Sequence, residues 1–375
     1  MSGGVRHLYV HLPFCAHRCG YCDFVTVVGR RPRHAAYVDA LLAELDLERE
    51  LLAPELETVF LGGGTPTFTE PAELARLLAA LPPAAELTVE ANPETVTPEL
   101  ARLLRDGGVT RVSVGAQSFA PHLLETLERR AGPDAVRAAV YALRDASIDN
   151  ISLDLIYGIP GQSAADLERD LSEALALEPE HLSCYELEAK LGTRFARAHG
   201  VELVRQSESM EAYFERVVAR LVASGYRWYE TANFCRPAER AGGRDLRARH
   251  NLAYWWGRDY VGLGIGAVST VGGTRWRNAP RLPAYLASLG EGERPERELE
   301  SLTAEVKRRE LVMLGLRLDE PLALDALAET LDTEGVERLE RLGLAVRAAD
   351  DRGETLALTS RGRFLGDGAT ALALA

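Results

Sequence analysis

Between residue 7 and about residue 190 the sequence alternates short β-type runs with amphipathic helical stretches, and that rhythm restricts the chain to parallel β/α units. The runs are 7–12 (HLYVHL), 58–62 (TVFLG), 86–91 (ELTVEA), 110–116 (TRVSVGA), 150–157 (NISLDLIY) and 181–187 (HLSCYEL). Between them Val38, Leu41, Leu42 and Leu45 recur at helical spacing, as do Leu74, Leu77, Leu78 and Leu81, and Leu167, Leu171 and Leu175. Each set makes a stripe that faces a sheet. Thr97 before Pro98 marks a helix start, because a threonine cap and a first-turn proline satisfy or remove donors left over at a helix N-terminus. Six such units predict an α/β fold, a partial (β/α)6 TIM-like barrel over 1–225.

Past residue 200 the pattern changes. An aromatic-rich block runs from Tyr226 to Trp256, and a glycine-rich segment from Gly262 to Gly273 contains one predicted strand (YVGLGIGAVST). Both belong at the open edge of the barrel, and a Pro/Glu/Arg stretch at 290–300 reads as a linker, so 226–300 forms an edge segment. After it the spacing predicts a helix over 303–317, another carrying Leu324, Leu327 and Leu331, and a third over 334–342. A hairpin follows, from Leu344, Val346 and Ala348 through an Asp-Asp-Arg-Gly turn at 350–353 to Leu356 and Leu358. Three helices and a β-wing predict a smaller winged-helix-like C-terminal domain over 301–375.

A formal net charge of −13 over 375 residues argues against nucleic acid as a partner, because phosphate neutralisation needs an excess of basic charge. Arg338, Arg341, Arg347, Arg352, Arg361 and Arg363 are interspersed with acids and read as solvated surface. That disfavours a DNA-binding regulator built on the C-terminal domain. No secretory signal is readable at the N-terminus, and no apolar stretch reaches the roughly 20 residues of a transmembrane segment. The expectation is a cytoplasmic protein; peripheral membrane contact and a homodimer stay open.

Five cysteines, three of them within eight residues, fit metal or redox chemistry better than a disulfide framework. In His11-Leu-Pro-Phe-Cys15-Ala-His-Arg-Cys19-Gly-Tyr-Cys22 the thiols follow the first predicted strand, on the rim where β/α barrels carry active sites. Soft thiolates suit iron–sulfur clusters or zinc. Structural zinc wants four ligands, usually as separated pairs, and Cys184 and Cys235 supply no pair. Three thiolates on a 4Fe-4S cube leave one iron with an open position.

Further motifs fall at the ends of later runs. Gly62-Gly63-Gly64-Thr65-Pro66 offers bare backbone to a polar ligand, at a spacing that is neither a Walker loop nor a dinucleotide fingerprint. Glu90, Gln117 and Asp154 end the next strands, where a polar group needs a partner or a ligand. Arg129, or Arg130 beside it, follows Gln117 by a helix-length interval and could pair with a carboxylate. In His250-Asn251-Leu-Ala-Tyr254-Trp255 a neutral imidazole stands among aromatics, a structural group or a heme-iron ligand.

The C-x3-C-x2-C loop and the GGTP turn resemble the radical S-adenosylmethionine (SAM) superfamily. HLPFC, GGGTPT, VEANP, VGAQSF, DLIYGIPGQ, YETANF and LTSRGRFLGD extend the likeness over nearly the whole chain, to the oxygen-independent coproporphyrinogen oxidases and their heme-chaperone relatives. The resemblance implies a 4Fe-4S cluster on Cys15, Cys19 and Cys22 whose open iron chelates SAM. It implies SAM contacts from Tyr9, Tyr21 (adenine), Gly63, Gly64 and Thr65 (methionine amino group), Glu90, Gln117, Asp154, and Arg129 rather than Arg130. The oxidases carry a further cysteine two places after the third and an N-terminal extension; here position 24 is Phe24 and fourteen residues precede Cys15. The HNxxYW motif belongs with the chaperones, which makes His250 a candidate heme ligand, although Val268 stands where those relatives often have histidine. The implied function is a heme chaperone that binds the cluster, SAM and heme and delivers heme to an unidentified acceptor protein. The alternative is a radical enzyme that oxidatively decarboxylates coproporphyrinogen III.

Overall fold

The computed structural model describes residues 3–190, 193–350 and 353–374. Six strands, β1 (His7–Leu12), β2 (Leu56–Gly63), β3 (Ala84–Ala91), β4 (Arg111–Gln117), β5 (Ile151–Tyr157) and β6 (His181–Glu186), pair in parallel and in chain order. They form the partial barrel that the alternating pattern predicts. Each observed strand lies within two residues of its predicted run. On the β6 side the sheet continues antiparallel through Asn233–Cys235 and Arg227–Glu230; on the β1 side Val261–Leu263 adds a parallel edge strand. Among the described residues the nine-stranded sheet does not close.

Side chains alternate across a strand, and here the two faces differ sharply. Leu8, Val10, Leu12, Val59, Leu61, Val89, Val112, Val114, Leu153 and Leu182 are buried against the helices. Burying each contributes roughly 1.5–3 kcal/mol. The helical stripes meet them: Val38, Leu41 and Leu45 from α1 (His34–Glu48), Leu74, Leu77 and Leu78 from α2 (Pro71–Ala80), and Leu167 and Leu171 from the helix Ala164–Ala176. Thr97 caps its helix as predicted, accepting from the Leu100 amide at 3.2 Å. The opposite face carries His7, Thr58, Glu86, Arg111, Ser113, Ser152, Asp154, His181 and Ser183. A barrel meant only as a packed core fills its interior with branched aliphatics; this one is lined with polar groups.

Three expectations need correction here. YVGLGIGAVST is not one strand: left-handed backbone at Gly264 (φ 100°) and Gly266 (φ 69°) breaks it into Val261–Leu263 and Val268–Val271, which join different sheets. The supposed linker includes a strand, Arg297–Ser301, paired antiparallel with Thr274–Asn278. No α-helix carries Leu324, Leu327 and Leu331. That stretch is a two-residue strand, Leu322–Ala323, followed by turns, and its leucines are placed by tertiary contacts: the Leu324 amide bonds Glu354 O and Leu331 bridges Leu374. Two further C-terminal helices were not expected: Ser360–Phe364, capped by Thr359, and Gly366–Ala373.

The C-terminal unit has its own core, built from the helices Ala304–Gly315 and Thr333–Arg341 and the hairpin Ala345–Asp350/Gly353–Leu358. Of the predicted turn, Asp351 and Arg352 lie outside the described residues. Arg363, expected on the solvated surface, is instead buried and ties the unit to the barrel edge, donating to Trp228 O at 2.8 Å with its guanidinium 3.6 Å from the Trp228 ring. Among the described residues no helix is long and apolar enough to cross a membrane.

Candidate functional site

The polar interior opens at the C-terminal end of the strands into a cavity of about 520 Å3. Its wall is built loop by loop. The strand pair Phe14–Cys15/Val27–Val28 bounds the cysteine loop, with the Val27 amide on Pro13 O and the Gly29 amide on Cys15 O, both at 2.8 Å. His11 pins the far side of this loop from β1, its Nε2 donating to Val25 O at 2.8 Å. The loop rests on the end of the short helix Pro121–Thr126: the Gly20 amide donates to Leu127 O at 3.3 Å and His17 Nε2 to Glu128 O at 2.9 Å.

After β2 the glycine turn passes directly beneath the cysteine strand. Gly63 has φ 105°, and a Cβ there would sit 2.3 Å from the His11 ring; one on Gly64 would meet the Pro13 backbone at 2.5 Å. Only glycine permits that approach. It leaves the Thr65 amide on Phe14 O at 2.9 Å and the Thr65 hydroxyl on Cys15 Sγ at 3.4 Å. Burial pushes the Cys15 thiol up to about 11 and also raises Cys22. A metal must therefore displace protons to bind here.

Arg129 reaches the cavity because Glu128 adopts a left-handed conformation (φ 55°) that turns the chain back after the helix, with the Arg129 amide on Leu124 O. Its Nη1 donates to Asn92 Oδ1 at 2.9 Å and approaches Cys19 Sγ at 3.8 Å, and its Nη2 donates to Gly115 O at 2.7 Å; its Nε is buried without a partner. Arg130 is exposed and does not line the cavity. Gln117 enters at an irregularity in the β4–β5 register, with φ 64°. Glu90 accepts from the Gly63 amide at 3.1 Å, and burial, reinforced by Asp154, lifts its carboxyl to about 7. Asp154 accepts from Ser113 Oγ at 3.0 Å, and burial raises it too, against the influence of Arg111.

Thus Cys15, Cys19, Cys22, Tyr21, Gly63, Gly64, Thr65, Glu90, Gln117, Arg129 and Asp154 all line one cavity. Two predicted residues do not. Tyr9 lies below, its hydroxyl 3.0 Å from His11 Nδ1 and its ring stacked on Phe60. His250 is 1% exposed and enclosed by protein: Thr58 Oγ1 lies 2.7 Å from Nδ1 and the Tyr254 hydroxyl 2.8 Å from Nε2, while its amide donates to Glu86. Burial lowers its imidazole to about 3, so it is neutral. Its neighbour Asn251 does reach the cavity. Sequence reading passed over Asn251 and Asn92, although both sit inside motifs it singled out, and over Phe60, Arg111, Ser113 and Ser183, whose signal was their period-2 alternation with core residues.

The donor set fits an iron–sulfur cluster. Three thiols share the cavity, a hydroxyl and a guanidinium are aimed at two of the sulfurs, and an orphaned Nε remains. Among the described residues no three His, Cys, Asp or Glu side chains converge as one mononuclear ion requires; thiolates of a cubane hold separate irons and stand farther apart.

Residues 9–174 match the Radical SAM superfamily. Across 98% of the chain and 94% of the relative, the sequence is 40% identical to the heme chaperone HemW of Mycobacterium tuberculosis, and it is 34% identical to HemW of Bacillus subtilis over 84% of the chain and 83% of the relative. The solved coproporphyrinogen III oxidase HemN of Escherichia coli, a radical SAM enzyme, shares the fold with a TM-score of 0.80 at 24% identity, covering 98% of this chain and 90% of that one. The class is therefore radical SAM. Within it, the chain belongs to the HemW family.

Proposed function

We propose that the chain is a heme chaperone that holds a 4Fe-4S cluster on Cys15, Cys19 and Cys22, binds SAM in the adjoining cavity, and passes heme to an acceptor protein in the cytoplasm. The observation that carries this reading is the convergence of three thiols and the strand-end polar groups on one cavity, in a chain 40% identical to a heme chaperone along 98% of its length. A bound cluster supplies an electron and an iron with an open coordination position. Around it, the Arg129 guanidinium offers charge-assisted hydrogen bonds to a carboxylate. Glu90, Asp154 and Gln117 accept from amino and hydroxyl groups, and the Tyr21 ring gives adenine an apolar face. Tyr9 supports this wall through His11 and takes part directly if its hydroxyl leaves the His11 ring.

For heme, His250 is the candidate axial ligand through Nε2, which requires release of the Tyr254 hydroxyl from that nitrogen. Phe24, 64% exposed at the cavity mouth, adds an apolar ring against which a porphyrin can pack. The test is titration of hemin into anaerobically reconstituted protein, followed by mixing with a heme-free acceptor. Stoichiometric binding and transfer are expected. Catalytic conversion of coproporphyrinogen III to protoporphyrinogen with SAM and a reductant, without heme binding, would replace this reading with the oxidase.

A further inference from the structure

Asn92 ends the VEAN run after β3 and lies in the cavity wall between the two motifs nearest the cysteines. Its Nδ2 donates to Thr65 Oγ1 at 3.1 Å and its Oδ1 accepts from Arg129 Nη1 at 2.9 Å. The Thr65 hydroxyl donates a hydrogen bond to Cys15 Sγ at 3.4 Å, and Arg129 Nη1 reaches Cys19 Sγ at 3.8 Å. These contacts form one belt, Cys15–Thr65–Asn92–Arg129–Cys19, with the amide at its centre.

The direction of the belt is fixed by proton counting. A threonine hydroxyl has one proton to give. It goes to the sulfur because the neighbouring amide brings a donor of its own to the hydroxyl oxygen. The other end of the amide, an acceptor only, selects the arginine. The geometry is set without any ligand. Asn92 O accepts from the Thr95 amide at 3.0 Å and from the Thr95 hydroxyl at 2.7 Å, and that hydroxyl also pairs with Thr67 Oγ1 at 2.6 Å. Thr65 is held by its amide on Phe14 O, and Arg129 by Nη2 on Gly115 O.

We infer that Asn92 is a positioning residue for the cluster: it orients the Thr65 hydroxyl and the Arg129 guanidinium onto the sulfurs of Cys15 and Cys19 and so raises the reduction potential of the cluster they hold. Reduction adds negative charge that spreads onto the sulfurs, and donors aimed at them stabilise the reduced form. The inference rests on assigning the cluster to the three cysteines.

The experiment uses full-length protein reconstituted anaerobically, with iron content and the midpoint potential from an EPR-monitored titration as readouts. Asn92→Leu keeps the size and the charge of the residue and removes both arms. Its expected result is wild-type iron content with a midpoint shifted to more negative potential. The same substitution in a Thr65→Val background should shift the midpoint by clearly less, because one of the two arms is already gone. Asn92→Gln, which restores an amide, should recover part of the shift. It also carries the test if Asn92→Leu loses its iron: a Gln variant with iron bound and a wild-type Thr65→Val response supports the inference. An unchanged midpoint in Asn92→Leu with iron bound, or equal shifts in the two backgrounds, would overturn it. Wild-type protein that takes up no iron would instead sink the cluster assignment itself, and the inference with it.

Discussion

The cavity wall around Cys15 and the niche around His250 are made from the same strands, yet their polar atoms end in opposite states. In the niche, Thr58, Tyr254 and Glu86 engage both ring nitrogens and the amide of His250. In the wall, the Nε atoms of Arg129 and Arg111 are buried without partners, burial lifts the Glu90 carboxyl to about 7, and burial raises Asp154 as well. Buried polar groups in native proteins are almost always satisfied. The ring nitrogens of His250 are satisfied by folding alone, whereas the wall leaves the Nε atoms of Arg129 and Arg111 without a protein partner. The difference separates a region poised for a ligand from one that must rearrange to take one.

The comparison can be broken at several points. The largest effect falls on the cluster: Cys15→Ala, Cys19→Ala or Cys22→Ala is expected to reduce iron bound after anaerobic reconstitution to background, while His250→Ala leaves it at the wild-type level. Iron and sulfide assays on purified variants decide this. Next, Arg129→Ala removes a charge-assisted partner for a carboxylate, a loss of about 1.5–3 kcal/mol, so SAM affinity measured by equilibrium dialysis should fall roughly 10- to 100-fold. Arg130→Ala should change it little.

The acid in the wall gives a pH signature. Its folded value, about 7, lies above the unfolded carboxyl value of 4.5 because burial and Asp154 oppose ionisation. The ligand-free folded state therefore binds the extra proton between those values, and the stability this group contributes is lost as pH rises from about 4.5 through 7. A cationic ligand reverses the preference by favouring the carboxylate. SAM affinity should rise about tenfold from pH 6 to pH 8, and Glu90→Gln should flatten that dependence. A wild-type profile already flat would remove Glu90 from the amino-group contact.

The smallest effect concerns the niche. If heme takes His250 Nε2, Tyr254→Phe removes a competing hydrogen bond worth about 0.5–1.5 kcal/mol, and hemin should bind roughly 2- to 10-fold more tightly. His250→Ala should abolish the spectrum of the ligated heme. Unchanged spectra in His250→Ala would leave the motif with a structural part, anchoring the helix Arg249–Trp255 so that Asn251 faces the cavity.

Much of this was legible in the sequence because it was local. Strand β1 follows its alternating run from His7 to Leu12, and the cysteine loop, the glycine turn and Thr97 each carry their reason within a few residues. What escaped was set over distance. Leu324, Leu327 and Leu331 imitate a helical stripe, yet the bond from the Leu324 amide to Glu354 O and the bridge from Leu331 to Leu374 fix the two ends of that stretch. The helical spacing of His250 and Tyr254 was visible, but its link to Thr58, 192 residues away, was not. Asn92 read as part of a motif rather than as a hub, because its partners Thr65 and Arg129 come from two other loops.

The most direct test of the contrast between wall and niche is the EPR spectrum of the reduced, anaerobically reconstituted protein with and without SAM. A SAM-dependent change of the cluster signal in wild type and in His250→Ala, lost in Arg129→Ala, is the predicted result. A cluster signal indifferent to SAM in the wild-type protein would contradict it.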